Sequence, residues 1–473
     1  VIVKHDRRTK IVWSYEPANL RPGLASELID VEFDAIRLVY ETGSAGVICQ
    51  FLDELANVVS KDNHPIPVMI DVSARVRGII AADHDPFEVA YGDLVKLTPT
   101  SGDGDIRIET DLWDQFFTVD ATVYIGFGDV VLNVLSVNAD SAEAEVGQGG
   151  TVFAGSDIHI PKTRQDPKMK DFSEKELKEI FSRNIDFLVV PGFSSFEEIK
   201  LIKELCYASS ERKPWMFLKL NSKNVYEKVA DLLDAVHGVF ISRRELALFM
   251  PPAMIPVLTK EVIQLCNDRA KVVLTASEML GSMRNNLTPT RAEVSDVANV
   301  VLDGTDAVVL SEEISYGPHS GRAITLLRKI VEDVEQNKTT RRNWQKHLPE
   351  IREEMDAVAY TAYKTAERVG AKAIVCLTKE GNTAVKLSSF RLPEQIIALT
   401  LSEEVLSRLS IIRGVDGILL SGEPVIDQVL PFVNDLLLSQ SWLCAGDKIV
   451  FVSVTLSPLS RQESNLLTVQ TLS

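Results

Sequence analysis

At 473 residues the chain is longer than one ordinary hydrophobic core supports, so two or three domains are expected. Hydrophobic residues at 45% and charged residues at 25% fit a globular fold, and 50 Lys+Arg against 67 Asp+Glu leave a formal net charge of -17, which disfavours direct binding to a nucleic-acid duplex. No apolar run reaches the ~18 residues of a helical membrane span, so no membrane partner is expected.

Cys49, Cys206, Cys266, Cys376 and Cys444 are odd in number, far apart and without CxxC spacing. They suit a reducing compartment, cytoplasmic or the interior of an organelle, and argue against secretion, a zinc module or a disulfide framework. The first residue is Val1, which leaves room for a removed start or targeting peptide.

In chain order, short β-branched apolar runs recur: KIVWSY (10–15), AIRLVY (35–40), PVMIDV (67–72), DFLVVPG (186–192), MFLKLN (216–221), GVFISR (238–243), KVVLTA (271–276) and AVVLSE (307–312). Between them lie segments of helical periodicity such as SFEEIKLIKELCYAS and NVYEKVADLLDAV. Eight near-continuous apolar strands alternating with amphipathic helices predict a closed (β/α)8 TIM barrel, class α/β, over 1–76 and 166–345. Residues 77–165 interrupt the rhythm with period-two stretches, DIRIET, ATVYIGF and SAEAEVG, and predict a small all-β, barrel-like lid domain inserted in a barrel loop. After a charged helical stretch at about 326–369, whose basic run TTRRNWQKH (339–347) reads as a solvated linker or helix face, five further strands alternate with helices. They predict a C-terminal α/β domain over 346–473.

One residue stands out in this pattern. Lys219 closes the apolar strand MFLKLN, where an ammonium is costly unless it is paired, and the next inward position is the uncharged Asn221. It is either a working group or the partner of a structural ion pair.

The run MLGSMRNNLTPTRAEVSDVANVVLDGTDAVVLSEE (279–313) resembles the most diagnostic segment of the pyruvate kinase family. TKIVWSYEPAN (9–19), RRELALFMP (243–251) and AKAIVCLTKEGNTA (371–384) extend the resemblance along the chain. It implies a barrel with an inserted β-domain and a C-terminal α/β domain, a homotetramer or another oligomer, and phosphoryl transfer from phosphoenolpyruvate to ADP, giving pyruvate and ATP with Mg2+ and K+. The resemblance places Lys219, Arg37 and Ser277 at catalytic positions and Ser311 and Glu313 at ligand-binding ones, and Arg77 is a further candidate for ligand binding. Glu245, Asn221 and Asp71 fall at metal-binding positions.

Several of these positions depart from the family pattern. Asn221 replaces a metal-binding glutamate, Glu245 replaces an aspartate, and Arg244 replaces a glycine; Glu312 and Tyr316 replace a glycine and a lysine. Val39 and Val72 stand where the potassium site needs hard ligands, and Arg75 or Arg77 is the candidate for a substitute positive charge. TKEGNT (378–383) resembles an effector-phosphate loop, whereas SPLSRQESN (457–465) replaces the glycine-rich loop of sugar-phosphate regulation. Losing one preorganised group costs about 3–4 kcal/mol in a barrier, so several changes together predict weakened or lost activity, a pseudoenzyme. The alternatives are an active enzyme with rebuilt cation sites and a non-catalytic scaffold or subunit of a larger complex.

Overall fold

The computed structural model describes residues 2–3, 7–59, 64–73, 79–81, 84–110, 113, 117–126, 128–161, 166–276, 279–310, 318–337, 348–420, 426–439, 442–456 and 463–473. Eight parallel strands close into the expected barrel: β1 (Lys10–Tyr15), β2 (Ala35–Tyr40), β3 (Val68–Val72), β4 (Phe187–Val190), β5 (Trp215–Leu220), β6 (Gly238–Ser242), β7 (Val272–Ala276) and β8 (Ala307–Leu310). Each falls within the run that predicted it or begins one residue before it, because a strand covered on both faces leaves no polar alternation to misread.

The strand pleat divides the barrel's side chains into two sets. Ile11, Ile36, Leu38, Ile70, Leu218 and Ile241 point outward and pack under the helices. Val12, Ala35, Met69, Phe217, Phe240 and Leu274 fill the interior, and this inner set runs on through the barrel base into the core of the C-terminal domain. Along β5 the inner positions are Trp215, Phe217 and then Lys219, so the filling turns from apolar to polar towards the C-terminal ends of the strands.

At the opposite end a clasp repeats on alternate strands. Asp34, Asp186, His237 and Asp306 immediately precede β2, β4, β6 and β8. Their backbone N–H groups donate to the carbonyls of Ile11, Val68, Met216 and Val273 on the preceding strands. Their side chains accept in return from the N–H groups of those same four residues, at 2.6, 2.9, 3.0 and 2.9 Å. The carboxylates also carry ion pairs, Asp34 to Arg7, Asp186 to Arg212 and Asp306 to Arg391, the last reaching across to the C-terminal domain. His237 fills the same role only with an unprotonated Nδ1. Burial first, and the neighbouring Lys271, Lys203 and Arg408 after it, push its pKa down to about 3.

The inserted segment forms a seven-stranded sheet and a two-stranded one between β3 and β4. Its alternation is the expected one: Ala142, Ala144 and Val146 are buried while Glu143 and Glu145 face outward.

The C-terminal domain is a six-stranded sheet in which Ala373–Leu377, Gln395–Thr400 and Val415–Leu419 run parallel, with Lys448–Leu456 beside them and Glu463–Thr471 antiparallel at one edge. One pairing departs from the sequence division. Ile2–Val3, read as part of the barrel segment, adds an antiparallel edge strand to this sheet against Val415–Leu419. A two-residue strand is too short to carry a periodic signal, so only the distant partner reveals it.

Candidate active site at the barrel mouth

Five of the nine candidate residues meet at the C-terminal ends of the barrel strands. Arg37 on β2, Asp71 on β3 and Lys219 on β5 are inner residues of their strands; Asn221 follows β5, and Glu245 lies in the short helix Arg243–Ala247 after β6. Ser277, Ser311, Glu313 and Arg77, together with Arg75, lie outside the described residues.

Lys219 is 3% exposed, and its charge is answered from β3 and the helix after β6 rather than from position 221. Its Nζ lies 2.7 Å from Glu245 Oε1 and 3.4 Å from Asp71 Oδ2. Burial works against the ammonium, but the Asp71 and Glu245 carboxylates outweigh it and hold Lys219 above the ordinary lysine value. Asp71 is fully buried, and its Oδ2 also accepts from Arg37 through Nε at 2.9 Å and through Nη2. Arg37 is fixed further by Ser14 Oγ at 2.9 Å and by the Phe240 ring 5.0 Å below its guanidinium.

Asn221 and Glu245, the two positions expected to share a metal, are bonded to each other. Asn221 Nδ2 donates to Glu245 Oε2 at 2.8 Å, and Ser242 Oγ donates to Glu245 Oε1 at 3.1 Å. The Asn221 amide oxygen is buried without a hydrogen-bond partner and rests against Gly192, where a Cβ would stand 2.0 Å from it. Residue 192 must therefore be glycine for the amide to lie this way. Asp71 Oδ1 is likewise buried without a partner.

The inserted domain contributes Asp157, a half-buried carboxylate beside its first strand. Burial, together with the negative charges of Glu41 and Glu245, pushes its pKa up to about 7. Two positions that the resemblance gives to the potassium site carry no side-chain oxygen: Val39 is a buried aliphatic residue on β2, and Val72 points outward into the helix layer.

Ser14, Gly192, Ser242, Phe240 and Asp157 were not singled out from the sequence. For Ser14, Phe240 and Ser242 the available signal was strand alternation, which puts them on inner faces; Gly192 lies past the end of β4 and Asp157 in the inserted domain, so alternation along a barrel strand marks neither. In the C-terminal domain the TKEGNT turn is internally tied, with Thr378 Oγ1 accepting from Gly381 N–H at 2.9 Å. Gly381 has φ 93° and lies so close to Trp215 that a Cβ would come within 2.9 Å of the indole.

The geometry is that of a barrel enzyme's mouth, with cations and carboxylates at the strand ends. Residues 6–324 match the family model for the pyruvate kinase barrel domain, and residues 356–470 match that for the pyruvate kinase alpha/beta domain. A pyruvate kinase of Mycobacterium tuberculosis is 28% identical over 469 residues, covering 94% of this chain and 95% of that protein. Pyruvate kinase 2 of Synechocystis is 28% identical over 458 residues, covering 95% of this chain and 77% of that one. In fold, the chain superimposes on the solved structure of Cryptosporidium parvum pyruvate kinase in complex with ADP with a TM-score of 0.83 at 24% identity, covering 100% and 97% of the two chains. With both domain models matched in order and the barrel model alone spanning more than half of its length, this chain belongs to the pyruvate kinase family.

Proposed function

We propose that this chain keeps the pyruvate kinase scaffold but has weakened or lost the transfer of a phosphoryl group from phosphoenolpyruvate to ADP. The observation that carries this reading is the closed set of contacts around Lys219. The residue at the phosphoryl-stabilising position is held by Glu245 and Asp71, and Arg37 is held by Asp71. Catalysis of this transfer rests on fixed charges aimed at the moving group, and here those charges are aimed at one another. A substrate would have to break these pairs before it could use either cation. Replacement of the potassium ligands by Val39 and Val72 works in the same direction.

The test is pyruvate formation from phosphoenolpyruvate and ADP, with Mg2+ or Mn2+ and with or without K+, beside an active family member. The expected turnover is at least ~100-fold below that of the active enzyme. Vigorous turnover by the parent chain that Lys219→Met abolishes would sink the reading. Should phosphoenolpyruvate or a nucleotide raise the melting temperature without turnover, the site binds and does not transfer.

By the same family likeness we place the chain in a homo-oligomer, a tetramer by analogy, or in a larger assembly, which light scattering of the purified chain would read out. Its five free thiols, four of them buried, support a reducing compartment. Among the described residues, no helix is long and apolar enough to cross a membrane.

A further inference from the structure

We infer that the charged quartet at the barrel mouth, Arg37, Asp71, Lys219 and Glu245, is neutral in itself and takes no divalent cation at the position where the family would place one. This deepens the proposed loss of phosphoryl transfer and rests on it for the assignment of the site, but it makes a separate claim about metal.

The donor set does not fit Mg2+. That ion needs near-octahedral oxygen at about 2.0–2.1 Å, with one or two carboxylates giving up their other partners to it. Glu245 Oε1 already accepts from Lys219 and Ser242, and its Oε2 accepts from Asn221. Asn221 turns its donor towards Glu245 and its oxygen towards Gly192. Turning the amide over would face two acceptors, Asn221 Oδ1 and Glu245 Oε2, against each other.

Charge leads to the same result. Two buried cations and two carboxylates cancel inside the mouth, so a divalent ion would add its full charge to a balanced, poorly solvated cluster. A glutamate at 221 would make the set one charge negative and give a cation something to neutralise. Outside the quartet, Asp157 lies within reach of the charges of both Glu41 and Glu245, which help to hold it towards its protonated form. Among the described residues no group of three or more His, Cys, Asp or Glu is placed to hold a metal.

The experiment is a Mn2+ titration of the full chain, with free Mn2+ followed by electron paramagnetic resonance, on the parent, Glu245→Gln, Asn221→Glu and the smaller Asn221→Asp. The parent and Glu245→Gln should bind Mn2+ alike, while an added carboxylate at 221 should tighten binding by roughly 10-fold or more. Using both 221 variants keeps the test alive if the longer side chain does not fold. Manganese held equally by the parent and Glu245→Gln lies elsewhere and supports the inference. One tightly bound Mn2+ per parent chain, weakened roughly 10-fold or more by Glu245→Gln, would overturn it, as would a failure of both 221 variants to gain affinity. Turnover of phosphoenolpyruvate by a parent that binds no Mn2+ would defeat the functional reading alone. Stoichiometric Mn2+ at Glu245 without turnover would defeat only this inference.

Discussion

Lys10 and Lys219 are buried to nearly the same degree inside one barrel, one at each end. At the base, Lys10 Nζ donates to the Val415 carbonyl of the C-terminal domain at 2.9 Å, and around it the Asp34, Asp186, His237 and Asp306 clasps repeat on alternate strands. At the mouth, Lys219 meets side chains of its own barrel, and among the described residues the pattern has no repeat. Burial of a charge therefore does not mark a functional site by itself. What separates the two ends is regularity: a device that recurs at equivalent places in a symmetrical fold serves the fold, whereas one that occurs once at the strand C-termini belongs to the site.

The contrast can be tested by mutation. Asp306→Ala removes the acceptor for Val273 N–H and strands Arg391 at a domain boundary, so the largest loss is expected there, about 3–5 kcal/mol in urea unfolding. Glu245→Gln at the mouth keeps a polar group beside Ser242 and leaves Lys219 with Asp71, so the expected loss is about 2 kcal/mol. The reverse order would mean that the mouth quartet, not the base, holds the barrel together.

Two groups should respond to pH with opposite signs. His237 has an ordinary pKa of 6.5 and about 3 when folded, so below 6.5 the unfolded chain takes up a proton that the folded chain refuses. Its clasp then loses stability between pH 6.5 and about 3, by about 1 kcal/mol over the first pH unit and about 1.4 kcal/mol per unit below that. His237→Asp should reduce that part of the acid sensitivity in denaturation curves recorded from pH 7 to pH 5. Asp157 moves the other way: it ordinarily titrates at 3.8 and at about 7 in the fold, so stability is highest below 3.8 and falls as pH rises to about 7. Asp157→Asn should stabilise the chain at pH 8 and leave it nearly unchanged at pH 4. An Asp157→Asn chain with the parent's full pH profile would remove this carboxylate from the mouth's electrostatics.

Much of the barrel was legible because its strands are apolar on both faces, and KIVWSY and AIRLVY could be little else. The meeting of Arg37, Asp71, Lys219, Asn221 and Glu245 was legible only through family resemblance, since no local periodicity links positions 37 and 245. The partners of Lys219 were not legible, because strand alternation looks along one strand and the answering carboxylates arrive from two other elements. The base clasps were visible in principle as Asp or His directly before four apolar runs, at 34, 186, 237 and 306. Their meaning depends on the closed barrel order, which brings each of them beside the start of the strand before it.

The pairing of Ile2–Val3 with Val415–Leu419 bears on how the chain is made. During synthesis this strand is made roughly 400 residues before its partner, which follows some 20–80 s later at ordinary elongation rates. The barrel can close in that interval with its leading segment still unpaired. The C-terminal sheet gains this edge by drawing that earlier segment back, so two parts of the polypeptide made far apart in time are joined late in folding.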